Sequence, residues 1–388
     1  MTAIGNWNYP TSVKFGAGRI AELPALCRAH GILRPLLVTD VGLASAPITT
    51  NALRLLLDDG LAAALFADAK PNPVEANLTE GLNAYRRGNH DGVVAFGGGS
   101  GLDMGKLIAF MSGQSRAVWD FEDVGDWWTR ADVAGIAPVV AVPTTAGTGS
   151  EVGRAGVLTD TRAGSQGKKI IFHPAMMPRA VICDPELTVG MPAKITAGTG
   201  MDAFSHCLEA YCAPGFHPMA DGIAVEGMRL VKGALARAVE SPNDLDARAD
   251  MMAAAAMGAT AFQKGLGGMH ALAHPVGALF DTHHGMTNAV LMPYVLAFNR
   301  EVVSEKIARL SAWLGLGDPG FDSFLRYVVD LRARIGVPHT LPELGVEGER
   351  CALLADMAAL DPSAAGNPRS FDRAAAAEVL DNAMRGRL

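Results

Sequence analysis

The sequence predicts an α/β N-terminal domain with a parallel sheet, followed by an all-helical C-terminal domain. Three observations carry that prediction. Short apolar runs alternate with helix-length amphipathic stretches through the first half, the rhythm of βαβ units. Two of the runs, GVVAFGGG (92–99) and APVVAVPTT (137–145), end directly in glycines or hydroxyls. After Asp184-Pro185 the chain becomes rich in Ala, Met and Leu, with apolar positions recurring about every 3.6 residues and few β-branched runs.

Taken in order, RPLLVTD (34–40) reads as a buried strand ending in an acid. Leu53, Leu56 and Leu57 then mark a helix near 46–59. LAAALFAD (61–68) is the next strand, and EANLTEGLNAYRRGN (75–89) a helix with mixed faces. The strands at 92–99 and 137–145 follow, and RAVICDPEL (179–187) closes this half. From about 193 onward helices dominate, as in 221–240 and 247–262, with AAAAMGATAF (253–262) read as a tightly packed helix. The boundary falls near 184–190, and with no low-complexity linker the halves are expected to share a cleft.

Composition narrows the function classes. The chain has 388 residues, 49% hydrophobic and 19% charged, enough for a large core. A net charge of −7 without any basic block argues against a nucleic-acid surface. Cys27, Cys183, Cys207, Cys212 and Cys351 are odd in number and scattered, which fits a reducing, cytoplasmic setting rather than a disulfide framework. MTAIGNWNYPTSVKFG lacks a basic segment followed by an apolar one, so no secretory leader is expected. No apolar run is long enough to span a membrane.

FGGGSGLDMGK (96–106) leaves a strand and opens a helix. Consecutive glycines let backbone N–H groups approach an anion, and the helix N-terminus adds positive polarity. Ser100 can cap that helix or bond a phosphate oxygen. The segment is neither the G-x-G-x-x-G fingerprint nor a P-loop. VPTTAGTGSE (142–151) offers hydroxyls and glycines from a second strand end, including Thr144, Thr145 and Thr148. Asp40 ends a third strand. It can bind ribose hydroxyls and repel the extra phosphate of NADP, or simply cap the next helix. Three strand ends furnished this way make a dinucleotide the leading ligand.

Four of the ten histidines fall in GMHALAHPVGALFDTHHGMTN (268–288). Upstream, Asp202 and His206 are four apart, one turn apart on one helix face. His270 and His284 are separated by a stretch that lets two helix ends converge, with Gly277 and Gly285 beside them. One carboxylate and three imidazoles suit a divalent first-row metal, Fe(II) or Zn(II). His274, one turn beyond His270, can be a ligand, a proton relay or a pocket histidine. His283 and His284 are adjacent and should aim apart.

At these residues the sequence resembles the iron-containing (group III) alcohol dehydrogenase family. GGGSGLDMGK is similar to that family's GGGSxxDxAK loop, with Gly105 in place of the usual Ala. PTTAGTGSEV, ICDPELT, GMDAFSHCLEAY and HALAHPVGALFDTHHGMTNAVLMP match its successive blocks in order, and the likeness runs from TSVKFGAG (11–18) to the last helices. The resemblance implies a Rossmann-like NAD-binding domain over 1–186, an all-helical metal and substrate domain over 187–388, and a dehydroquinate synthase-like architecture.

It further implies that Gly97, Gly98, Gly99 and Ser100 hold the pyrophosphate, while Asp40, Asn72, Thr144, Thr145 and Thr148 contact the rest of the nucleotide. Asp103 and Lys168 are further carried-over cofactor residues. Asp202, His206, His270 and His284 would be the metal ligands and His274 a catalytic proton relay. The implied protein is a cytoplasmic homodimer, an NAD-dependent oxidoreductase using Fe(II), or alternatively Zn(II), on an alcohol or aldehyde. A dehydroquinate-synthase-like or glycerol-dehydrogenase-like enzyme is the alternative, and a site that only binds NAD or metal is a third reading. Complete retention of the ligand set weakens a maleylacetate reductase reading. Val152, Phe262 and the acidic, Trp-rich WDFEDVGDWW (119–128) are the segments considered for a substrate pocket, the last of them equally suited to a solvated loop.

Overall fold

The computed structural model describes residues 11–162 and 167–388. The first ten residues of the segment read for a secretory leader lie outside that range. Among the described residues, eight strands are interspersed with four α-helices, and eight further α-helices follow. In chain order they are β1 (Ser12–Phe15), α1 (Leu23–Ala29), β2 (Pro35–Asp40), α2 (Pro47–Asp58), β3 (Ala64–Ala69), α3 (Glu75–Arg87), β4 (Gly92–Gly97), α4 (Gly99–Met111), β5 (Val139–Pro143), β6 (Ala155–Asp160), β7 (Gly167–Phe172) and β8 (Ala180–Cys183). Helices follow from α5 (Ala193–Cys212) through α6 (Pro218–Glu240), α7 (Leu245–Ala261), α8 (Gly268–Phe280), α9 (His284–Trp313), α10 (Phe321–Arg334) and α11 (Cys351–Leu360) to α12 (Arg373–Arg385).

Two compact units result. One takes the described residues through Thr145 together with Gly149–Val189; the other takes Ala146–Thr148 and Gly190–Leu388. The first unit holds a six-stranded sheet in the order β1-β8-β5-β4-β2-β3, with every pairing parallel. Its central strands are continuous apolar runs because helices cover both faces. Val94, Phe96, Val140, Val142 and Ile182 pack with Leu23, Leu37 and Leu56. Each such side chain contributes roughly 1.5–3 kcal/mol by leaving water.

From β2 the chain moves outward to β3, then crosses to the other side of β2 for β4. The strand order therefore reverses between β2 and β4, and ligands of such sheets bind beyond the carboxyl ends at that point. Asp40 ends β2 and the glycines end β4, so both lie at the reversal.

Several sequence expectations need adjustment. β3 starts at Ala64, not at Leu61, and β8 stops at Cys183, well short of 187. Asp184 causes the stop: one carboxylate oxygen accepts from Glu186 N at 3.0 Å and the other from Ile20 N at 2.9 Å, pinning a 3₁₀ turn. The short edge strand β1 and the β6–β7 antiparallel hairpin were not foreseen. Ser100 does not cap α4; the N-cap is Gly98, and the Ser100 hydroxyl donates to Pro71 O at 2.5 Å. Asp40 does not cap α2, whose N-cap is Ala46. Among the described residues no helix is long and apolar enough to cross a membrane.

Candidate metal centre and nucleotide cradle

In the sheet unit, the loops after β2, β3, β4 and β5 converge. Asp40 Oδ1 accepts from Gly42 N at 2.9 Å, and burial pushes its carboxyl up against the backbone donors that favour ionisation. Gly97 has a left-handed φ of 132°, and a Cβ there would stand 3.4 Å from Asp40 Oδ2. A Cβ on Gly98 would lie 3.2 Å from Thr145 Cγ2, and on Gly101 it would strike Phe96 O at 2.7 Å. Only glycines permit this approach. Thr144 N donates to Gly97 O at 2.9 Å, fastening the β5 loop to the β4 loop. The Ser100 bond to Pro71 brings the Pro71-Asn72-Pro73 turn to the start of α4. Gly97, Gly98, Gly99, Ser100, Asp40, Thr144 and Thr145 are thus neighbours.

Asp103 is turned inward. Its two oxygens accept from Ser150 Oγ at 2.5 Å and Val157 N at 3.0 Å, and it pairs with the buried Lys106 at 3.3 Å. Lys106 also donates to Ser150 O at 2.9 Å. Beside it, burial pushes Glu151 up to about 7. Lys168 lies on the β6–β7 hairpin opposite Thr159. In the acidic segment Asp123 and Asp126 are exposed, whereas Glu122 pairs with Lys169 at 3.4 Å.

In the helical unit, α5, α8 and α9 bring four predicted residues together. The donor atoms of Asp202, His206 and His270 all lie within 4.8 Å of one another, and the three residues are buried. His284 Nε2 stands 3.7 Å from Asp202 Oδ1, and its ring centroid lies 5.2 Å from that of His270. Small residues make the convergence possible. A Cβ on Gly285 would sit 2.2 Å from Gly198 O and 2.8 Å from Asp202 Cβ, so the start of α9 lies directly against α5. A Cβ on Gly258 of α7 would similarly lie 3.0 Å from His206 Cβ. Gly147 rests on Thr199 of α5, which places Thr148 with this unit. His283 is the α9 N-cap, its Nδ1 accepting from Met286 N at 3.3 Å. Phe262 lies against the His206 ring at 5.1 Å, whereas Val152 is buried in the sheet unit.

The donor set fits a divalent cation. Burial lowers the His206 imidazole to about 4, holding it in the neutral form that ligation requires. The Asn288 side-chain nitrogen is 3.0 Å from Asp202 Oδ1 and 3.2 Å from both His270 Nε2 and His284 Nε2. An NH₂ group has two protons for these three converging acceptors, a deficit that a cation would remove. Asn288 Oδ1 is itself buried with no hydrogen-bond partner among the described residues. The enclosure is incomplete, since the His284 side chain is 27% exposed and that of His274 23%.

Three further residues escaped sequence reasoning. Glu209, one turn past His206, accepts from His270 Nδ1 at 2.6 Å and from Met269 N at 2.6 Å. Burial pulls the His270 imidazole down, and the Glu209 charge and hydrogen bond more than reverse this. Asp361 bonds His274 Nδ1 at 2.8 Å; burial raises its carboxyl, but the His274 bond and charge lower it overall. The His274 and His284 rings are stacked with centroids 5.4 Å apart. The third residue is Asn288. Glu209 and Asn288 lie three and four positions from ligand candidates, a helical spacing that is the only sequence signal; Asp361 carries none.

Comparison with known proteins agrees with this picture. The family described as "Iron-containing alcohol dehydrogenase" matches residues 10–185, and "Fe-containing alcohol dehydrogenase family, C-terminal" matches residues 196–384. A 4-hydroxybutyrate dehydrogenase from Cupriavidus necator is 39% identical over 97% of this chain and 99% of its own. An NAD-dependent methanol dehydrogenase from Bacillus methanolicus is 33% identical over 98% of this chain and 100% of its own. A solved 1,3-propanediol oxidoreductase superposes with a TM-score of 0.93 at 34% identity, covering 98% of this chain and 100% of that one.

Proposed function

Because this chain belongs to the iron-containing alcohol dehydrogenase family, we propose that it catalyses reversible hydride transfer between an alcohol and NAD, using a cation held by Asp202, His206, His270 and His284. The observation that carries the proposal is the clustering of Asp202, His206 and His270 donor atoms within 4.8 Å of one another, with His284 Nε2 3.7 Å from Asp202 Oδ1 and partly open to solvent. Fe(II) is the metal we infer, with Zn(II) the alternative, because the same donors accept either. When bound, the cation supplies Lewis acidity to the substrate oxygen, and NAD accepts the hydride.

The chain's own residues do the rest. Asp361 keeps a proton on His274 Nδ1, leaving Nε2 to take the alcohol proton and pass it toward solvent. Backbone N–H groups of Gly97, Gly98, Gly99 and Ser100 cradle the pyrophosphate. Asp40 holds ribose hydroxyls and disfavours the extra phosphate of NADP. Thr144, Thr145, Thr148 and Asn72 contact the remaining nucleotide. Asp103, held by Ser150 and Val157, and Lys168 of the β6–β7 hairpin are the remaining cofactor residues of this reading. In this reading residues 1–186 serve the nucleotide and 187–388 the metal and substrate. A cytoplasmic setting accords with five free cysteines. A homodimer accords with the exposed Val13 and Phe15 on the edge strand β1, and sedimentation of the purified protein tests it.

Substrates are inferred to be short primary alcohols, diols and ω-hydroxy acids, with 4-hydroxybutyrate and 1,3-propanediol first because similar proteins carry those names. The test is net NADH formation from such a panel, repeated with NADP⁺. Turnover with NAD⁺ well above that with NADP⁺ is expected. A dehydroquinate-synthase-like lyase would bind NAD without net NADH. It would also need free cations for an anionic substrate, whereas Lys264 is engaged by Asp221 Oδ1 at 2.5 Å.

A further inference from the structure

Resting on the metal reading above, we propose that Glu209 is the positioning residue that fixes the tautomer of His270 and thereby sets the affinity of the site for its cation. A neutral imidazole can ligate through Nε2 only when its proton sits on Nδ1. The hydrogen bonds around His270 favour that arrangement from both sides. Asp202 is an acceptor, so the Asn288 nitrogen that meets Asp202 Oδ1 at 3.0 Å is the amide NH₂ and not its oxygen. The same NH₂ stands 3.2 Å from His270 Nε2 and has no lone pair to accept a proton from it, so of the two neutral tautomers only the one with its lone pair on Nε2 suits this contact. The proton must then lie on Nδ1, where Glu209 Oε2 accepts it at 2.6 Å.

Glu209 is built for this role. It is 5% exposed, and its second oxygen is fixed by the Met269 N–H at 2.6 Å. Gly267 leaves the necessary room, since a Cβ there would approach Glu209 Oε1 and Asn367 Oδ1 to 3.0 Å each. Helix α5 therefore provides two proposed ligands, Asp202 and His206, and the acceptor behind a third. Carboxylates behind ligating imidazoles typically contribute about 10–100-fold to metal affinity.

The discriminating variant is Glu209→Gln, which keeps the size of the side chain. Two donors, Met269 N–H and His270 Nδ1–H, now face one acceptor. If the amide oxygen turns to Met269, the NH₂ donates to Nδ1 and drives the proton to Nε2. We would measure Zn(II) and Fe(II) affinity of the metal-stripped full-length protein by competition with a chromogenic chelator. The d–d spectrum of the Co(II) form would be recorded alongside. Glu209→Gln should bind each metal about 10–100-fold more weakly and shift the Co(II) bands. Adding the same change to His270→Ala should cost no further affinity, because Glu209 acts through that ring.

Wild-type affinity in Glu209→Gln, with His270→Ala defective, would overturn the assignment of Glu209 alone. An equal loss in the His270→Ala background would also overturn it, marking a packing effect. If His270→Ala itself bound metal normally, the metal reading would fail instead. Should Glu209→Gln not fold, Gly267→Ala displaces the carboxylate without removing it, and unchanged affinity there would count against the proposal.

Discussion

At the scale of single residues, the sequence exposed the side chains proposed to meet the cation and concealed those that stand behind them. Asp202, His206, His270 and His284 were legible because helical spacing, neighbouring glycines and scarce residue types coincide. Glu209, Asn288 and Asp361 were not, since a buried carboxylate or amide that acts through hydrogen bonds to other side chains shows at most a helical spacing, and Asp361 lacks even that. Glu151 is of the same kind and carries a pH prediction. Burial raises its carboxyl from 4.5 to about 7, opposed by a backbone hydrogen bond and by Lys106. The folded state therefore holds this proton more tightly than the unfolded chain does. Its contribution is present at low pH and is lost as pH rises through about 7. Glu151→Gln should gain stability relative to the natural protein by about 1–3 kcal/mol between about pH 5 and pH 8. Thermal unfolding of both proteins at the two pH values checks this; parallel behaviour would mean that Glu151 ionises freely in the fold.

At the scale of elements, the long periodic helices and the Val-rich strands were readable, because burial on both sheet faces or along one helix face dictates their composition. β1 was not, since four residues with Lys14 among them become a strand only by pairing with β8. The β6–β7 hairpin was missed because GKKIIF shows its apolar character only at one end. The start of β8 was found but not its end, which depends on the two hydrogen bonds of Asp184 rather than on propensity. Packing between elements is most exacting where α9 meets α5. Gly285→Ala would press a methyl group toward Gly198 O, a separation of 2.2 Å without adjustment. We expect it to destabilise the protein by about 1–3 kcal/mol, as overpacking does, and to weaken metal binding by moving His284 from Asp202. Calorimetry and chelator competition test both effects; unchanged metal affinity would show that the helix start is not what positions His284.

At the scale of the whole molecule, the two halves of the chain carry separable chemistry in one sequence. The sheet unit gathers glycines, hydroxyls and Asp40 at the reversal of strand order, as nucleotide-binding sheets do. The helical unit gathers the carboxylate and imidazoles. Family membership unites these as an alcohol dehydrogenase. The central claim is that turnover depends on the cation while nucleotide binding does not. The most direct measurement is NADH formation by metal-stripped protein titrated anaerobically with Fe(II), and separately with Zn(II). It would be made for the natural protein and for His270→Ala, with NAD affinity measured beside it. The account predicts that turnover returns with metal only in the natural protein. The variant should fall on the order of 10³-fold or more while binding NAD nearly as well. A His270→Ala protein that kept the natural rate after stringent chelation would contradict it.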